Sequence, residues 1–439
     1  MQQGFNDLAD HLFAHLSGDE VLLLTFDGEE SDFVRLNHGR VRQAGRVAQR
    51  GLGLQLIAGE RHASARLTLS GTDADRPRAL ATLDALREQL PWLPPDPHLL
   101  YATDVCHTER IATDRLPDPA DAIDGVVAAA QGVDLVGIWA SGGVHAGFAN
   151  SLGQRNWFTT HSFHLDWSLY HRADKAVKCS YAGTEWDAPT FARKMADARK
   201  QVAVLERPAR TIPPGRYRAW LAPSALNEVL ELLGWGGFGL KAQRTKRSPL
   251  LRAVQGRARF ADGVTLSEDT GAGLSPDFQD QGFVKPDRVC LLKQGAYQDA
   301  LVSPRSAREY GVATNGADAH EGPLSMDMEG GTLDAAKAVQ ELGTGVLVNN
   351  LWYLNYSDRT AARITGMTRF ATLWVEDGEI VAPLNVMRFD DSVYRLLGEG
   401  LVGLSAEREL MLSASTYGRR STASARLPGA LVDDFTFTL

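Results

Sequence analysis

Histidine and glutamate are the first candidates for chemistry in this chain. A zinc peptidase needs two histidines on one helical face and a glutamate that polarises the metal-bound water. His-Glu occurs once, at His320-Glu321, and Gly322-Pro323 follow it, so that the proline prevents a helix there. His11 and His15 are spaced i, i+4 on a predicted helix, but no glutamate follows His11 and no third ligand lies near in sequence. These residues therefore form no zinc motif.

One glycine-rich segment, Gly234–Gly239, matches the GxGxxG pattern. A dinucleotide site needs a strand before this pattern and a helix after it. Here a predicted helix precedes the glycines and a basic loop sequence follows, so we interpret them as a flexible helix exit. The chain contains neither GxSxG nor the phosphate-binding patterns GxxxxGKS and GxxxxGKT. Taken alone, the sequence offers no complete catalytic constellation.

The three cysteines, Cys106, Cys179 and Cys290, lie far apart and form no CxxC pair. This spacing excludes a disulfide framework or a Cys-rich zinc finger and is typical of a reducing cytosol. The N-terminus shows no export signal, and no apolar run reaches the ~18 residues of a membrane helix. We therefore expect a cytoplasmic protein that does not bind membranes.

The net charge is −8, which disfavours a phosphate-binding surface. The one basic cluster (Lys241, Arg244, Lys246 and Arg247) is short and lacks interleaved aromatic residues. We therefore expect no nucleic-acid partner. The acidic stretch around Asp318, Asp327 and Glu329 lacks calcium-loop spacing, and we expect it to be a solvated loop.

The order of helical and alternating segments predicts an α+β fold, and the 439 residues indicate two or three domains. The predicted units are an N-terminal α+β subdomain (1–90), a Pro-rich linker (91–119), a second α+β subdomain (120–206), a linker (207–215) and a β-rich C-terminal domain with a few helices (216–439). Helices are predicted over Pro189–Leu205, Pro223–Leu233 and Leu333–Leu342. The first of these presents Phe191, Met195 and Val202 as its apolar face, and Asp377-Gly378 indicates a β-hairpin.

Two segments of the last third, Asn350–Arg359 and Ile364–Ile380, resemble the C-terminal domain of the TldD/TldE (PmbA) family. In that family a Thr-Gly strand runs into a hairpin of the form x-x-E-x-G-x-I. The segments Phe278–Gly282, Arg288–Gly295 and Ser306–Gly311 are similar to the family's preceding run, with departures at Gln281 and at Lys293-Gln294. Asp32–Val41 and Gly51–Leu54 resemble its opening meander. The resemblance therefore covers nearly the whole chain.

The resemblance implies where a zinc motif would lie. TldD subunits of the family carry HExxxH on a helix that opens the C-terminal domain, together with a distant cysteine ligand. On the predicted helix Pro223–Leu233 the motif falls on Asn227, Glu228 and Leu232, so the glutamate is retained and both histidines are replaced. An amide and an isobutyl group cannot replace two imidazoles around Zn²⁺.

A shift of the alignment does not restore the site, because no histidine lies between His171 and His320. No cysteine follows Cys290 either, so the third ligand is missing. The resemblance therefore implies a TldE-like member that lacks the zinc motif and holds no cofactor of its own.

TldE-like subunits pair with a TldD-like subunit, which holds the zinc, and the pair cleaves unfolded or leader peptides bound in an extended form. The resemblance thus implies a non-catalytic subunit of a heterodimer, with proteolysis only in the presence of an HExxxH-bearing partner. Backbone hydrogen bonds would hold the peptide as an added strand. Two alternatives stay open: a homodimeric peptide-binding protein without peptidase activity, and an independent hydrolase using Cys179 or Cys290.

Aromatic residues and arginines, which interface cores favour, are concentrated in one part of the C-terminal domain. The set comprises Trp352, Tyr353, Tyr356, Arg359, Arg363 and Arg369. We expect some of them to contact the peptide or the partner subunit, and the alternative is ordinary strand packing. Glu228 is either a surface glutamate or a vestige of a catalytic residue.

Overall fold

The structure, a computed structural model, describes residues 1–173 and 175–438, and Asp174 and Leu439 lie outside the described residues. Two β-sheets and the helices packed on them build the molecule. The predicted α+β class with a β-rich second half is confirmed. Among the helices within the described ranges, none has both the length and the apolar character needed to span a bilayer.

Over residues 1–173 and 175–206, the first half contains one seven-stranded sheet and four α-helices. The helices are α1 (Gln2–Phe13), α2 (Asp75–Gln89), α3 (Pro119–Ala129) and α4 (Ala188–Leu205). The strands are β1 (Val21–Asn37), β2 (Arg40–Ala58), β3 (Arg61–Thr68), β4 (Thr108–Ile111), β5 (Asp134–Asn150), β6 (Arg155–Arg172) and β7 (Lys175–Gly183). Their order is β3-β2-β1-β5-β6-β4, and β7 pairs with the part of β6 that β4 leaves free.

Strands from both predicted N-terminal subdomains enter this one sheet. β1 and β5 pair antiparallel from Leu23↔Asn150 to Leu36↔Gly137. β4 lies inside the predicted Pro-rich linker and pairs in parallel with β6. The chain segments 1–90 and 120–206 therefore fold as neighbours in a common sheet.

The second half contains eleven strands and six short helices among the described residues. The helices are α5 (Pro223–Gly234), α6 (Leu240–Arg244), α7 (Leu251–Val254), α8 (Pro304–Tyr310), α9 (Ala338–Leu342) and α10 (Val393–Leu396). The strands are β8 (Gly215–Leu221), β9 (Leu266–Asp269), β10 (Arg288–Lys293), β11 (Ala296–Tyr297), β12 (Ser325–Met328), β13 (Gly345–Asp358), β14 (Arg363–Glu376), β15 (Glu379–Pro383), β16 (Arg388–Ser392), β17 (Leu401–Leu412) and β18 (Ser424–Phe437). The ring β8-β13-β14-β16-β18 closes, because β18 also pairs with β8.

Local sequence signals account for several of these elements. In α4 the Asp187 side chain accepts a hydrogen bond from the Thr190 N–H as an N-cap, and the predicted apolar face is buried. α5 begins with Pro223, which has no N–H to leave unpaired in the first turn. Asp377 and Gly378 have φ angles of 50° and 79° and connect β14 to β15, which confirms the predicted hairpin.

Two local expectations are corrected. Asp327 does not lie in a solvated loop: it belongs to β12, is 6% exposed and pairs with Arg288 at 2.9 Å and Arg408 at 2.8 Å. Two arginines distant in sequence make this buried carboxylate tolerable. The predicted helix Leu333–Leu342 is shorter, because Ala335–Lys337 is a 3-10 turn before α9 begins.

The two halves share a hydrophobic core. Trp167 and Phe191 of the first half pack in one buried cluster with Leu347, Leu373 and Leu431 of the second. This common core fixes the first sheet against the β-rich half, and a cleft lies between them elsewhere.

Candidate functional site

Helix α5 carries the residues at the expected zinc-ligand positions. Its buried face packs against β13 and β18 through residues such as Leu226, Val229 and Leu233. The helix is therefore rigidly placed at the start of the second half, where a functional side chain would be well positioned.

The donor atoms at these positions do not fit a zinc ion. Asn227 donates from Nδ2 to Glu231 Oε1 at 2.8 Å, and its Oδ1 is buried without a hydrogen-bond partner. Leu232 is 9% exposed and offers only a hydrocarbon side chain. Zinc sites in proteins use three or four His, Cys or acidic ligands. Over residues 1–173 and 175–438, no group of three or more His, Cys, Asp or Glu side chains is arranged to hold a metal.

Glu228 is half-buried rather than free in solvent. Burial raises the pKa of its carboxyl, the neighbouring Glu231 raises it further, and the charge of Lys178 on β7 opposes both. Lys178 in turn lies 3.4 Å from Asp166 Oδ2 and 6.0 Å from the Phe370 ring centroid. Glu228 therefore lies within electrostatic reach of Glu231 on its own helix and of Lys178 on β7, and within the described residues no group of three or more metal-ligating side chains forms around it.

The structure divides the predicted binding residues into two groups. Trp352, Tyr353 and Arg369 form an exposed platform on the β13–β14 hairpin: Trp352 is 51% and Tyr353 76% exposed, and the Arg369 guanidinium lies 5.7 Å from the Trp352 ring. Tyr353 and Phe370 have φ angles of 58° and 57°, and each lies where the β13–β14 register shifts. Such bulges redirect side chains, and here they turn aromatic residues outward.

The other three residues make contacts within the chain. Tyr356 donates to the Leu232 carbonyl at 2.8 Å, and burial raises the pKa of its hydroxyl. Arg359 donates to the carbonyl oxygens of Arg247 and Trp235 at 2.7 and 2.8 Å, and Arg363 pairs with Asp390. The structure thus brings Trp352, Tyr353 and Arg369 together on the surface, whereas Tyr356, Arg359 and the exposed Arg363 are engaged in contacts within the chain.

A cleft of about 540 Å³ lies between the two halves. Its floor is formed by β1 and β5, and one wall is the loop 275–285, whose Phe278 packs with Phe148 and Phe158. The opposite wall is the loop 413–423 between β17 and β18, which we call the crossing loop. No sequence motif marks this cleft, because its walls come from segments more than a hundred residues apart.

A buried arginine fastens the crossing loop to the first sheet. Arg420 is 5% exposed and donates to Ser162 O and Oγ, Ser31 Oγ and Gly142 O. Burial lowers its pKa to about 10, and Glu29 opposes this shift. The Arg420 N–H also donates to Glu29 Oε2 at 3.2 Å. These contacts hold the loop across β1, β5 and β6 as a wall of the cleft.

Charged groups of both signs line the cleft. Arg66 and Arg419 both pair with Asp27 on one side. Lys285, Asp280 and Asp318 lie on the other. Burial lowers the pKa of the Lys285 ammonium, and nearby carboxylates, Glu268 first among them, oppose that shift. Apolar patches between charges of both signs suit a polypeptide, which offers both amide and side-chain groups.

Neither thiol considered for a non-metal site has the surroundings of a nucleophile. Burial raises the pKa of Cys179 to about 12, so its thiol stays protonated at neutral pH. The Cys290 thiol lies 3.5 Å from the Leu292 carbonyl, to which it donates. These environments disfavour Cys179 and Cys290 as catalytic nucleophiles.

The second half of the chain matches a protein-family model, and the whole chain shares its fold with solved structures. The family model of the PmbA/TldA metallopeptidase C-terminal domain matches residues 214–439. No curated protein sequence matches the chain. Among solved structures, TldE from Thermococcus kodakarensis is similar with a TM-score of 0.78 and 14% identity over 99% of this chain and 100% of that one.

Two further structures share the fold. A proposed modulator of a DNA gyrase from Thermotoga maritima has a TM-score of 0.77 and 15% identity over 99% of this chain and 100% of its own. A proposed modulator of DNA gyrase from Bacteroides thetaiotaomicron has a TM-score of 0.74 and 15% identity over 99% and 98%. At these identities the likeness shows a common fold.

Proposed function

This chain belongs to the PmbA/TldD family of metallopeptidase-related proteins, and we propose that within it the chain is a non-catalytic, TldE-like subunit of a heteromeric zinc peptidase that acts on unfolded or leader peptides. The zinc and the catalytic glutamate belong to a TldD-like partner subunit. The three free cysteines support a cytoplasmic location for the complex.

The observation that carries the proposal is the donor set on α5. Asn227 and Leu232 occupy the positions at which the family motif has histidines, and neither can bind Zn²⁺ as an imidazole does. Asn227 is also engaged with Glu231. A well-packed helix without metal ligands is consistent with a subunit that retains the family fold, while its partner binds the zinc and catalyses cleavage.

The cleft supports a role in holding the substrate. It lies between the two halves of one chain, combines Phe26, Phe148 and Phe278 with charges of both signs, and is open to solvent. An extended peptide could enter without folding and contact both halves. The exposed platform of Trp352, Tyr353 and Arg369 supports a contact with the partner, since aromatic and arginine side chains dominate binding energy at interfaces.

The test is reconstitution from purified subunits. Alone, the chain should contain no stoichiometric zinc by elemental analysis and should not cleave an unfolded reporter protein such as casein. Mixed with an HExxxH-bearing family member encoded beside it, the chain should form a complex of defined mass that cleaves casein. Two variants are matched: glutamine in place of the partner's motif glutamate should abolish cleavage, whereas Glu228→Gln in this chain should leave the rate unchanged. Stoichiometric zinc in the isolated chain would contradict the proposal.

A second function, a homodimeric peptide-binding protein without peptidase activity, is favoured by the fact that the cleft is complete within one chain. It predicts that the isolated chain binds unfolded peptide as tightly as any complex does. The heteromeric proposal instead predicts that the partner increases affinity. Titration of one labelled peptide with and without the partner separates the two.

A further inference from the structure

The outer edge of β2 is free along half of its length. β1 pairs with β2 over its length from Arg40 to Ile57, whereas β3 pairs only from Gly51 to Ala58. Within the ranges that the structure describes, no strand covers the other edge from Arg40 to Gln49. About ten residues of strand span roughly 33 Å, which is long enough to pair with a whole added strand.

This part of β2 is also exposed on both faces. Every residue from Arg40 to Ala48 is exposed, and Val41 and Val47 are 48% and 37% exposed. Unpaired N–H and C=O groups along an exposed edge form a template for another strand. The backbone geometry for strand addition is therefore already in place.

The positive charge of this edge indicates an acidic binding partner. Arg40, Arg42 and Arg46 lie on this segment and Arg50 directly follows it, and no acidic residue occurs between Arg40 and Arg50. Arg50 pairs with Glu30 at 3.7 Å, and among the described residues the other three form no ion pair. The segment is thus strongly basic in a chain whose net charge is −8, and acidic side chains complement it.

A groove beside the edge can accept an apolar side chain of the added strand. It has a volume of about 420 Å³ and is lined by Phe33, Val47 and Ile138, with Gly45 leaving room at its centre. Gly45 lies opposite Phe33 on β1. A strand added to β2 would point alternate side chains towards this face, so an apolar side chain among the acidic ones can enter the groove.

We propose that the arginine edge, residues Arg40–Gln49, binds an extended acidic segment of another protein as an added β-strand, with an apolar side chain of that segment in the groove. This site borders the crossing loop, because Gln49 Nε2 donates to the Gly418 carbonyl at 2.7 Å, but it shares no lining residue with the cleft or the platform. The inference stands independently of the proposed function.

A second copy of this chain suits the edge poorly. In a symmetric antiparallel pairing centred on Ala44, Arg42 lies directly opposite Arg46, and centring on Gly45 places Arg40 opposite Arg50. Like charges directly opposite each other destabilise a strand pair. Alternatively, these arginines could serve only to prevent the edge from pairing with any other strand. An acidic peptide separates the two roles, because it binds the edge in the first case and does not bind in the second.

The experiment titrates the full-length chain into a fluorescent peptide of about nine residues in which Glu and Val alternate. We expect saturable binding by anisotropy that weakens with salt, and protection from hydrogen exchange of those alternate amides between Gln43 and Gln49 that do not already pair with β1. The same peptide with Lys in place of Glu should not bind. A peptide N-methylated at alternate residues keeps its side chains but loses hydrogen-bond donors on one edge, and it should lose affinity.

Charge reversal on the protein provides the matched test. Arg42→Glu with Arg46→Glu should weaken binding of the Glu peptide by roughly tenfold to thirtyfold and create binding of the Lys peptide, a gain that misfolding cannot produce. Arg76→Glu with Arg216→Glu makes the same net change at exposed sites elsewhere and should have little effect. Absence of saturable binding, equal loss in both double variants, or self-association that Arg46→Glu abolishes would each overturn the proposal.

Discussion

Arg420 donates two hydrogen bonds to Ser162, to its carbonyl oxygen at 2.8 Å and its hydroxyl oxygen at 2.7 Å, across 258 residues of sequence. Arg420 lies in the crossing loop and Ser162 in the middle of β6. This contact joins the crossing loop, one wall of the cleft, to the first sheet. A change at Arg420 therefore tests whether the loop is a fixed wall.

Arg420→Met should destabilise the chain by about 2–3 kcal/mol, because hydrogen bonds from a buried charged donor are lost and their acceptors stay buried. Urea unfolding measures the change, and hydrogen exchange should show the crossing loop opening. Arg419→Met is the matched control: Arg419 is half-exposed, pairs with Asp27 at 3.0 Å and should cost less than about 1 kcal/mol. Equal losses in the two variants would mean that Arg420 does not fasten the loop.

Glu228 should make stability depend on pH. Burial raises the pKa of its carboxyl from the ordinary value of 4.5, so the folded chain holds this proton more tightly than the unfolded chain. The contribution is fully present below pH 4.5 and is lost as the pH rises through the folded pKa. Glu228→Gln removes this loss and should therefore gain stability over the native chain between about pH 4 and pH 7. Urea unfolding across that range measures the difference in the free energy of unfolding. Glu88→Gln, an exposed change on α2, is the control, and its free energy of unfolding should depend on pH as that of the native chain does.

Elements with local causes were predictable from the sequence. Helix α4 has a capping aspartate and an apolar face at helical spacing, and both signals come from within a few residues. The hairpin at Asp377-Gly378 depends only on two residues that tolerate positive φ. The donor set of α5 also needed no tertiary knowledge, since it follows from which residues occupy the helix.

What the sequence could not predict depends on distant pairings. An acidic residue such as Asp327 is expected to be exposed, but its ion pairs with Arg288 and Arg408 make its burial in β12 possible. The cleft exists because β1 pairs with β5 and because Arg420 reaches β6, and neither segment carries a motif. The division of the aromatic and arginine residues into platform and packing groups follows from bulges at Tyr353 and Phe370, which period-two patterns do not reveal.

Thiol labelling tests whether a cysteine could act as a nucleophile. At about pH 8, iodoacetamide should modify Cys106, which is exposed, and leave Cys179 unmodified until the chain unfolds, because burial raises the pKa of that thiol to about 12. Mass spectrometry of peptides after timed labelling measures both rates, and Cys106→Ser should remove the fast phase. Reaction of native Cys179 as fast as Cys106 would restore the thiol hydrolase as an alternative.

The platform should matter for the partner and not for folding. Trp352→Ala and Tyr353→Ala remove exposed side chains, so the free energy of unfolding of the isolated chain should change by less than about 0.5 kcal/mol. If the platform lies at the centre of the interface, the same changes should raise the Kd of the complex with the HExxxH-bearing subunit by about tenfold or more. Urea unfolding and interferometry measure the two quantities on the same samples.

Tyr356→Phe is the converse variant of the same strand. It removes the hydrogen bond to the Leu232 carbonyl and should cost about 1 kcal/mol of stability, while the Kd of the complex stays unchanged because this side chain points into the domain. The two pairs of measurements thus separate contact with a partner from internal packing. If Trp352→Ala and Tyr353→Ala leave the Kd unchanged in a complex that still forms, the partner binds elsewhere on the chain, and the exposed aromatic residues serve another contact.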